Sequence, residues 1–209
     1  IKPAVSAAIA IAAVALVTTT ALALNAWLHP STIAGFTGDE GLSKAFESEN
    51  AININSEVKD DGYIINLMAI VSGKDLSDFE VSGSSIDESR SYLVTAIRNE
   101  DETPISEYDG NVYLDDIAVS PFVKGENYLD VNIYTLGGGE YKTLRDGVIY
   151  FLTEVNNLND YADKGVCIGV YKGKRIIGLD EKFDFDTEAK TIKPNPDYDG
   201  LNVVFDLPL

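Results

Sequence analysis

Residues 50–71 read NAININSEVKDDGYIINLMAIV, and this stretch decides the fold class. Residues 50–58 alternate apolar and polar side chains, which is typical of a β-strand with one buried face. Residues 59–62, Lys-Asp-Asp-Gly, are turn-forming because Asp and Gly tolerate positive φ. Residues 63–71 are almost wholly apolar and predict a second strand. The stretch therefore predicts a β-hairpin.

The rest of the body repeats this pattern of short strands separated by turn signals. Helix is predicted only around residues 40–48 and over 157–163, so long helices do not alternate with strands. This arrangement favours an antiparallel β-sandwich over an α/β sheet. Further strands are predicted at 91–98, 111–119, 128–135, 147–154, 165–171, 181–185 and 202–206.

Composition excludes several classes of function. The 209 residues carry a net charge of −18, which argues against a nucleic-acid partner because phosphate binding needs a basic face. A single cysteine, Cys167, excludes an internal disulfide framework and a Cys-rich zinc site. A single histidine, His29, leaves little for histidine-based catalysis or metal binding.

The N-terminal part is uncharged, in contrast to the acidic body. Ala4–Leu28 holds no charged residue, and all 34 acidic residues lie at or after Asp39. About 20 helical residues cross a bilayer core, so this stretch predicts a transmembrane helix. Trp27 occupies the place of an interfacial aromatic residue, and His29-Pro30 is expected to end the helix.

A cleaved signal peptide is the alternative. The small-x-small triplets at 21–23 and 24–26 fit a cleavage site, but the apolar run is long for a signal and favours an anchor. Both interpretations place the body outside the cytoplasm. We therefore expect a single-pass membrane protein with a transmembrane helix over 1–29, a juxtamembrane linker over 30–49 and an extracellular β-sandwich domain over 50–209.

Two acidic patterns imitate functional sites. Residues 195–200, Asn-Pro-Asp-Tyr-Asp-Gly, with Asp206 at the twelfth position, resemble a calcium loop. A Pro/Asp/Gly turn into a final strand explains the same residues better. The pairs Asp115/Asp116 and Asp184/Asp186 suggest acid–base chemistry, but 34 acids produce such pairs by chance, and we expect a solvated surface.

The remaining candidates also have ordinary explanations. Gly137-Gly138-Gly139 precedes an extended segment rather than a helix, so a flexible hairpin loop is expected instead of a phosphate cradle. Cys167 lies in an apolar strand and reads as a buried structural thiol. His29 lies at the presumed membrane boundary, a poor place for a catalytic base. We therefore expect no enzyme, and no catalytic, cofactor-binding or metal-binding residues.

Several segments, in this order along the chain, resemble a family of uncharacterised membrane proteins of Gram-positive bacteria. The segments are Asp61-Gly62-Tyr63, Ile70-Val71-Ser72-Gly73-Lys74, Val119-Ser120-Pro121-Phe122 with Gly125, Asp146-Gly147-Val148-Ile149-Tyr150, Asn157-Leu158 with Tyr161-Ala162-Asp163, Tyr198-Asp199-Gly200 and Phe205-Asp206-Leu207-Pro208-Leu209. Members have an N-terminal transmembrane helix and an extracellular Ig-like domain. They are associated with extracytoplasmic-function sigma factors, as anti-sigma factors.

The resemblance implies a non-catalytic sensor that binds an extracellular ligand or protein and regulates a sigma factor inside the cell. Only Ile1, Lys2 and Pro3 precede the apolar stretch, so the segment that binds a sigma factor is expected outside this sequence. Two alternatives stay open. One is a cell-surface structural or adhesion module without a signalling role, and the other is a secreted hydrolase that uses paired carboxylates.

Overall fold

A computed structural model describes residues 27–79, 86–106, 116–173 and 176–209 of the chain. Antiparallel β-sheets dominate these ranges, which confirms the all-β prediction. The strands are β1 (Ile52–Asp60), β2 (Tyr63–Ser72), β3 (Arg90–Asn99), β4 (Ile117–Val123), β5 (Gly139–Arg145), β6 (Val148–Asn156), β7 (Val166–Lys172), β8 (Phe183–Asp186), β9 (Thr191–Pro194) and β10 (Asn202–Asp206). The helices are α1 (Pro30–Gly35) and α2 (Glu40–Glu47), with 3-10 helices at Gly73–Phe79, Leu158–Tyr161 and Leu179–Glu181.

The hairpin predicted from residues 50–71 is confirmed as β1–β2. Asp60 pairs with Tyr63, so Asp61 and Gly62 form a two-residue loop. Both loop residues have positive φ, +46° and +76°, as the right-handed twist of a hairpin requires. β1 is an edge strand and is interrupted by a register shift between Asn53 and Ser56.

Two sheets face each other across one apolar core. The first has the order β1-β2-β3-β6-β5 and the second the order β10-β7-β4. The core side chains are supplied by alternate positions of both sheets. Leu67, Leu93 and Phe151 of the first sheet and Val119 and Ile168 of the second have no exposed surface.

The outer face of the three-stranded sheet is covered by the β8–β9 hairpin. Phe183 and Phe185 of β8 contact Phe122 of β4, with ring centroids 5.9 and 5.3 Å apart. Tyr171 of β7 packs edge-on against Phe183 in the same cluster. This aromatic cluster fixes the small hairpin to the main body.

Helices cover the outer face of the five-stranded sheet. Ile33 of α1 and Leu42 and Phe46 of α2 are buried against this sheet. α2 begins at the Asp39 cap, whose side chain accepts the Leu42 N–H, and it matches the helix predicted around 40–48. Residues 30–49, expected as a linker, are thus folded onto the sheet.

Three local predictions need correction. Residues 128–135, predicted as a strand, form turns. The strands β5 and β9 were not predicted as separate strands. The helix predicted over 157–163 is a short 3-10 helix, Leu158–Tyr161. The predicted strand 111–119 lies partly outside the described residues, and its described part belongs to β4.

The predicted transmembrane helix lies, apart from its last residues, outside the described part of the chain. Among the described residues, no helix combines the length and the apolar character that a membrane span requires. His29-Pro30 begins a helix instead of ending one, because His29 caps α1 and Pro30 occupies its first turn. Proline is favoured there since the first helical N–H groups have no partner within the helix.

Candidate functional site

Asn195 and Asp206, the first and last positions of the calcium-like pattern, both bond to other groups of the protein. Asn195 Oδ1 accepts the Asp197 N–H at 3.0 Å, which makes a local turn at the first position of the calcium-like pattern. Asp206, the twelfth position, forms an ion pair with Lys124 at 2.6 Å. No group of three or more His, Cys, Asp or Glu side chains suited to a metal ion occurs in the described ranges.

Of the two carboxylate pairs, only Asp184/Asp186 lies wholly within the described residues. Asp184 and Asp186 both lie exposed on β8, which agrees with the solvated face that the sequence predicts. Asp186 Oδ1 accepts the Ala189 N–H at 2.8 Å and so closes the β8–β9 turn. The other pair is not described as a pair, because Asp115 lies outside the described residues and only Asp116 lies within them.

Of the three glycines at 137–139, Gly137 and Gly138 end a helical turn, and Gly139 begins β5. Gly138 N–H donates to Ile133 O at 2.7 Å and Gly137 N–H to Tyr134 O at 3.0 Å, which is the bonding of a Schellman motif. Gly137 has φ of +59°, as the motif requires. A Cβ on Gly138 would lie 2.5 Å from Ile133 O, so this position has no room for a side chain.

Cys167 and His29 both have structural roles: Cys167 is buried in the core, and His29 caps α1. Cys167 has no exposed surface, and burial raises the pKa of its thiol to about 12. A thiol with that pKa is protonated at neutral pH and is a poor nucleophile. His29 is exposed, and its Nδ1 accepts the Ser31 N–H at 3.3 Å as the cap of α1.

Shallow grooves occur on the described surface. One, of about 500 Å³, lies between β1 and β10. A second, of about 390 Å³, is lined by Tyr128, Asp180 and Phe185. A third, of about 370 Å³, lies between the helices and strands β5 and β6, and includes Glu140 and Glu154.

The two glutamates of the third groove are each paired with a cation. Arg90 Nε lies 2.8 Å from Glu154 Oε1, and Lys142 Nζ lies 3.3 Å from Glu140 Oε2. Glu140 Oε1 also accepts the Val119 N–H at 3.0 Å, across the gap between the two sheets. Both carboxylates therefore support the fold, whereas a glycosidase needs one protonated acid beside a free carboxylate.

The segment that joins the apolar stretch to α2 is docked on the outer face of the five-stranded sheet. We call residues 27–36 the strap. At its start, the Arg98 guanidinium lies 4.5 Å from the centroid of the Trp27 ring, and Trp27 Nε1 donates to Glu57. These are a cation–π contact and a hydrogen bond, which fix the indole against strands β1 and β3.

The next residue of the strap bonds to the middle of the sheet. Leu28 N–H donates to the hydroxyl oxygen of Tyr150, on β6, at 3.0 Å. The Tyr150 hydroxyl is neutral at physiological pH, as is usual for tyrosine, and burial raises its pKa further. Its free lone pairs then make it a suitable acceptor.

The far end of the strap is held in the same manner. The Arg145 guanidinium lies 4.7 Å from the centroid of the Phe36 ring, and the Tyr141 hydroxyl donates to Phe36 O at 3.5 Å. Between the two ends, Ile33 and Ala34 have no exposed surface. Each end of the strap is thus held by two contacts: an arginine stacked on an aromatic ring, and a hydrogen bond between a tyrosine hydroxyl and the strap backbone.

Sequence reasoning missed the strap. A signal was present, because Pro30 fits a first helical turn and Ile33-Ala34 follow at the spacing of a buried face. The prediction instead assigned Trp27 and Leu28 to the transmembrane helix and residues 30–36 to a juxtamembrane linker. The chain matches no family model, and no similar protein was found among curated proteins or solved structures.

Proposed function

We propose that this chain is the non-catalytic, membrane-anchored sensing part of an anti-sigma-factor-like regulator. The β-rich body lies outside the cytoplasm and binds an extracellular ligand or protein. The apolar residues before Trp27 hold it in the membrane as a single span. Within this proposal the finer fold class is an Ig-like sandwich, which the two facing antiparallel sheets of five and three strands support.

One observation carries the proposal. Trp27 and Leu28 are the last residues of the uncharged stretch, and both bond to the five-stranded sheet. An anchor that ends at this point would join the body without a slack linker. Displacement of the body would then act directly on the end of the anchor, which is what a sensor of this architecture needs.

The surface chemistry supports a binding role over a catalytic one. The described carboxylates of the third groove are neutralised by Lys142 and Arg90, and Cys167 is buried with a raised pKa. The strongly acidic composition keeps such a body soluble and disfavours contact with nucleic acid. The sigma factor would be bound by a cytoplasmic segment beyond this sequence.

Protease treatment of intact cells tests the topology. The full native protein carries an epitope tag after Leu209, and we expect added protease to remove the tag. A cytoplasmic enzyme should stay intact in the same sample as the control for cell integrity. A tag that survives until the cells are lysed would refute the proposed orientation.

Co-purification tests the regulatory part. The native gene product, solubilised in detergent, should recover a sigma factor, and deletion of the gene should change expression of that factor's targets. Recovery of no sigma factor, together with unchanged expression on deletion, would refute the signalling role. A surface module without signalling would then be the better explanation.

A further inference from the structure

The groove of about 390 Å³ lies beside strand β8, and we call it the β8 groove. Strand β8 pairs with β9 on one side, and no described strand pairs with its other side. The residues of the groove that matter below are Tyr128, Asp180, Asp184, Phe185 and Asp186. A space of this size accommodates a few side chains of a partner.

The main chain of Phe185 lies on the unpaired edge of β8. Backbone hydrogen bonds of an antiparallel pair alternate along each strand. Asn195 N–H donates to Lys182 O at 2.9 Å, and the register continues without a shift, so the backbones of Asp184 and Asp186 face β9. The N–H and C=O of Phe185 therefore point to the other edge. Extended peptides bind at such edges through main-chain hydrogen bonds.

Tyr128 and Phe185 form the aromatic part of the β8 groove. Their ring centroids are 4.7 Å apart, and both side chains are half-buried. Aromatic rings attract cations, and in this protein a lysine or arginine lies over four other rings, those of Trp27, Phe36, Phe151 and Tyr198. No lysine or arginine of the described ranges lies over Tyr128 or Phe185. This pair is therefore open to a cation supplied by a partner.

The carboxylates of the groove favour a cation as its occupant. Asp180 Oδ1 accepts the Tyr128 O–H at 3.2 Å, and Asp184 and Asp186 are exposed. In the described part of the chain none of the three forms an ion pair, unlike the glutamates of the third groove. Lys193, opposite Asp184 on β9, lines the groove between β1 and β10 instead. A basic side chain of a partner would thus meet carboxylates and aromatic rings together.

Two of the most exposed apolar side chains in the described ranges come from the segments that meet at this groove. Ile177 is 85 % exposed and Leu129 is 50 % exposed. Leu129 follows Tyr128, and Ile177 lies three residues before Asp180, to which Tyr128 bonds. Exposed apolar residues beside a groove are typical of a surface that binds a polypeptide. A partner with alternating basic and apolar side chains fits this surface.

We propose that the β8 groove binds an extended basic peptide segment of a partner protein. A lysine or arginine side chain of the peptide lies against the Tyr128–Phe185 pair and forms ion pairs with the carboxylates, while its main chain bonds to the edge at Phe185. The net charge of −18 disfavours a second copy of this chain, a nucleic acid or an anionic membrane as the occupant. This inference deepens the proposed function and rests on it only in taking binding as the role of the body.

Fluorescence anisotropy with the full chain in detergent micelles tests the proposal. The probe is a short fluorescein-labelled peptide that alternates lysine and valine, and we expect it to bind saturably. The same peptide with glutamate in place of lysine should not bind. Asp180→Asn combined with Asp184→Asn should weaken binding of the lysine peptide about tenfold.

The matched control is Glu47→Gln combined with Glu49→Gln. It removes the same charge at the end of α2, which covers the outer face of the other sheet. Exposed charges far from the groove are screened by salt, so this double variant should change the affinity by less than about twofold.

The aromatic part of the groove is tested at constant charge. Tyr128→Leu removes the ring that stacks on Phe185 and should weaken binding several-fold. Tyr134→Leu removes an exposed tyrosine outside the groove lining and should leave the affinity unchanged. Urea unfolding identifies any variant that fails to fold, and Tyr128→Phe, which keeps the ring, should bind nearly as well as the wild type.

Three results would overturn the proposal: no saturable binding of the lysine peptide, equal binding of the lysine and glutamate peptides, or equal weakening by the two double variants. A failure of the proposed function is recognised separately. A tag that survives added protease on intact cells refutes the outward orientation and leaves the binding measurement unaltered. A removed tag together with absent binding refutes only the basic peptide as the ligand.

Discussion

Replacement of Gly169 by alanine should destabilise the protein by overpacking the aromatic cluster outside β7. A Cβ at this position would lie 2.5 Å from Phe122 Cε2 and 3.3 Å from Phe183 Cζ. Carbon atoms prefer about 3.5–4.0 Å, so the Phe122 ring has to move by about 1 Å. Phe122 and Phe183 are each 1 % exposed, and neither can move into solvent.

Overpacking of a buried cluster costs about 1–3 kcal/mol, and we expect about 2 kcal/mol for Gly169→Ala. Urea unfolding followed by circular dichroism measures it as a midpoint that falls by about 1 M, for a slope of about 2 kcal/mol per M. Gly139→Ala is the control. Its Cβ would meet no atom within 4 Å, so its stability should change by less than about 0.5 kcal/mol.

The double variant separates steric strain from other effects. Phe122→Leu makes room for the new methyl group, so Gly169→Ala should cost less in that background than in the wild type. Equal costs in both backgrounds would refute the steric argument. So would equal stability of the Gly169→Ala and Gly139→Ala proteins.

The buried titratable groups give two further predictions. Cys167 should resist thiol reagents at pH 8 in the folded protein and react at once after unfolding. The reason is that the side chain is fully buried and the pKa of its thiol is raised to about 12. Rapid reaction without unfolding would contradict this placement. Burial also raises the pKa of Tyr92 from 10 to about 12. The contribution of the buried hydroxyl to the free energy of unfolding is therefore complete below pH 10 and is lost between pH 10 and 12. Urea unfolding over pH 9–12 should show a flatter loss of stability in Tyr92→Phe, and parallel pH profiles would refute this.

The sequence predicts a pair of strands well where the residue types of the turn between them determine its conformation. Asp61 and Gly62 adopt the positive φ that their residue types favour, so the β1–β2 hairpin follows from four neighbouring residues. The apolar strands β3, β6 and β7 were equally predictable, because each is buried on both faces and has few alternatives.

The error at residues 128–135 has a specific cause. Their alternating apolar residues fit a strand, yet Asn132 forms local bonds that compete with strand pairing. Its Nδ2 donates to Tyr128 O at 2.8 Å, and its Oδ1 accepts the Tyr134 N–H at 2.9 Å. Asn132 is 2 % exposed, so these bonds are buried and the turn prevails over the periodicity.

The strap was missed for a different reason. α1 has six residues, too few for a periodic pattern to identify, and its docking depends on Arg98, Tyr141, Arg145 and Tyr150, which lie 60 or more residues away in the sequence. Contacts of this kind arise only once the sheet has formed. The docking of the strap was therefore beyond local patterns, although Pro30 and the apolar Ile33-Ala34 gave a local signal for α1 itself.

Strand β1 connects the strap with a surface groove. Its Glu57 accepts the indole N–H of Trp27, while the following residues 58–60 line the groove of about 500 Å³ beside β10. β1 is an edge strand with a bulge at Asn55, where φ is +48°, so it is paired on one side only. An edge strand of this kind moves more readily than the central strands. Glu57, which accepts the Trp27 indole N–H, and Val58, which lines the groove, are therefore adjacent residues of the same edge strand.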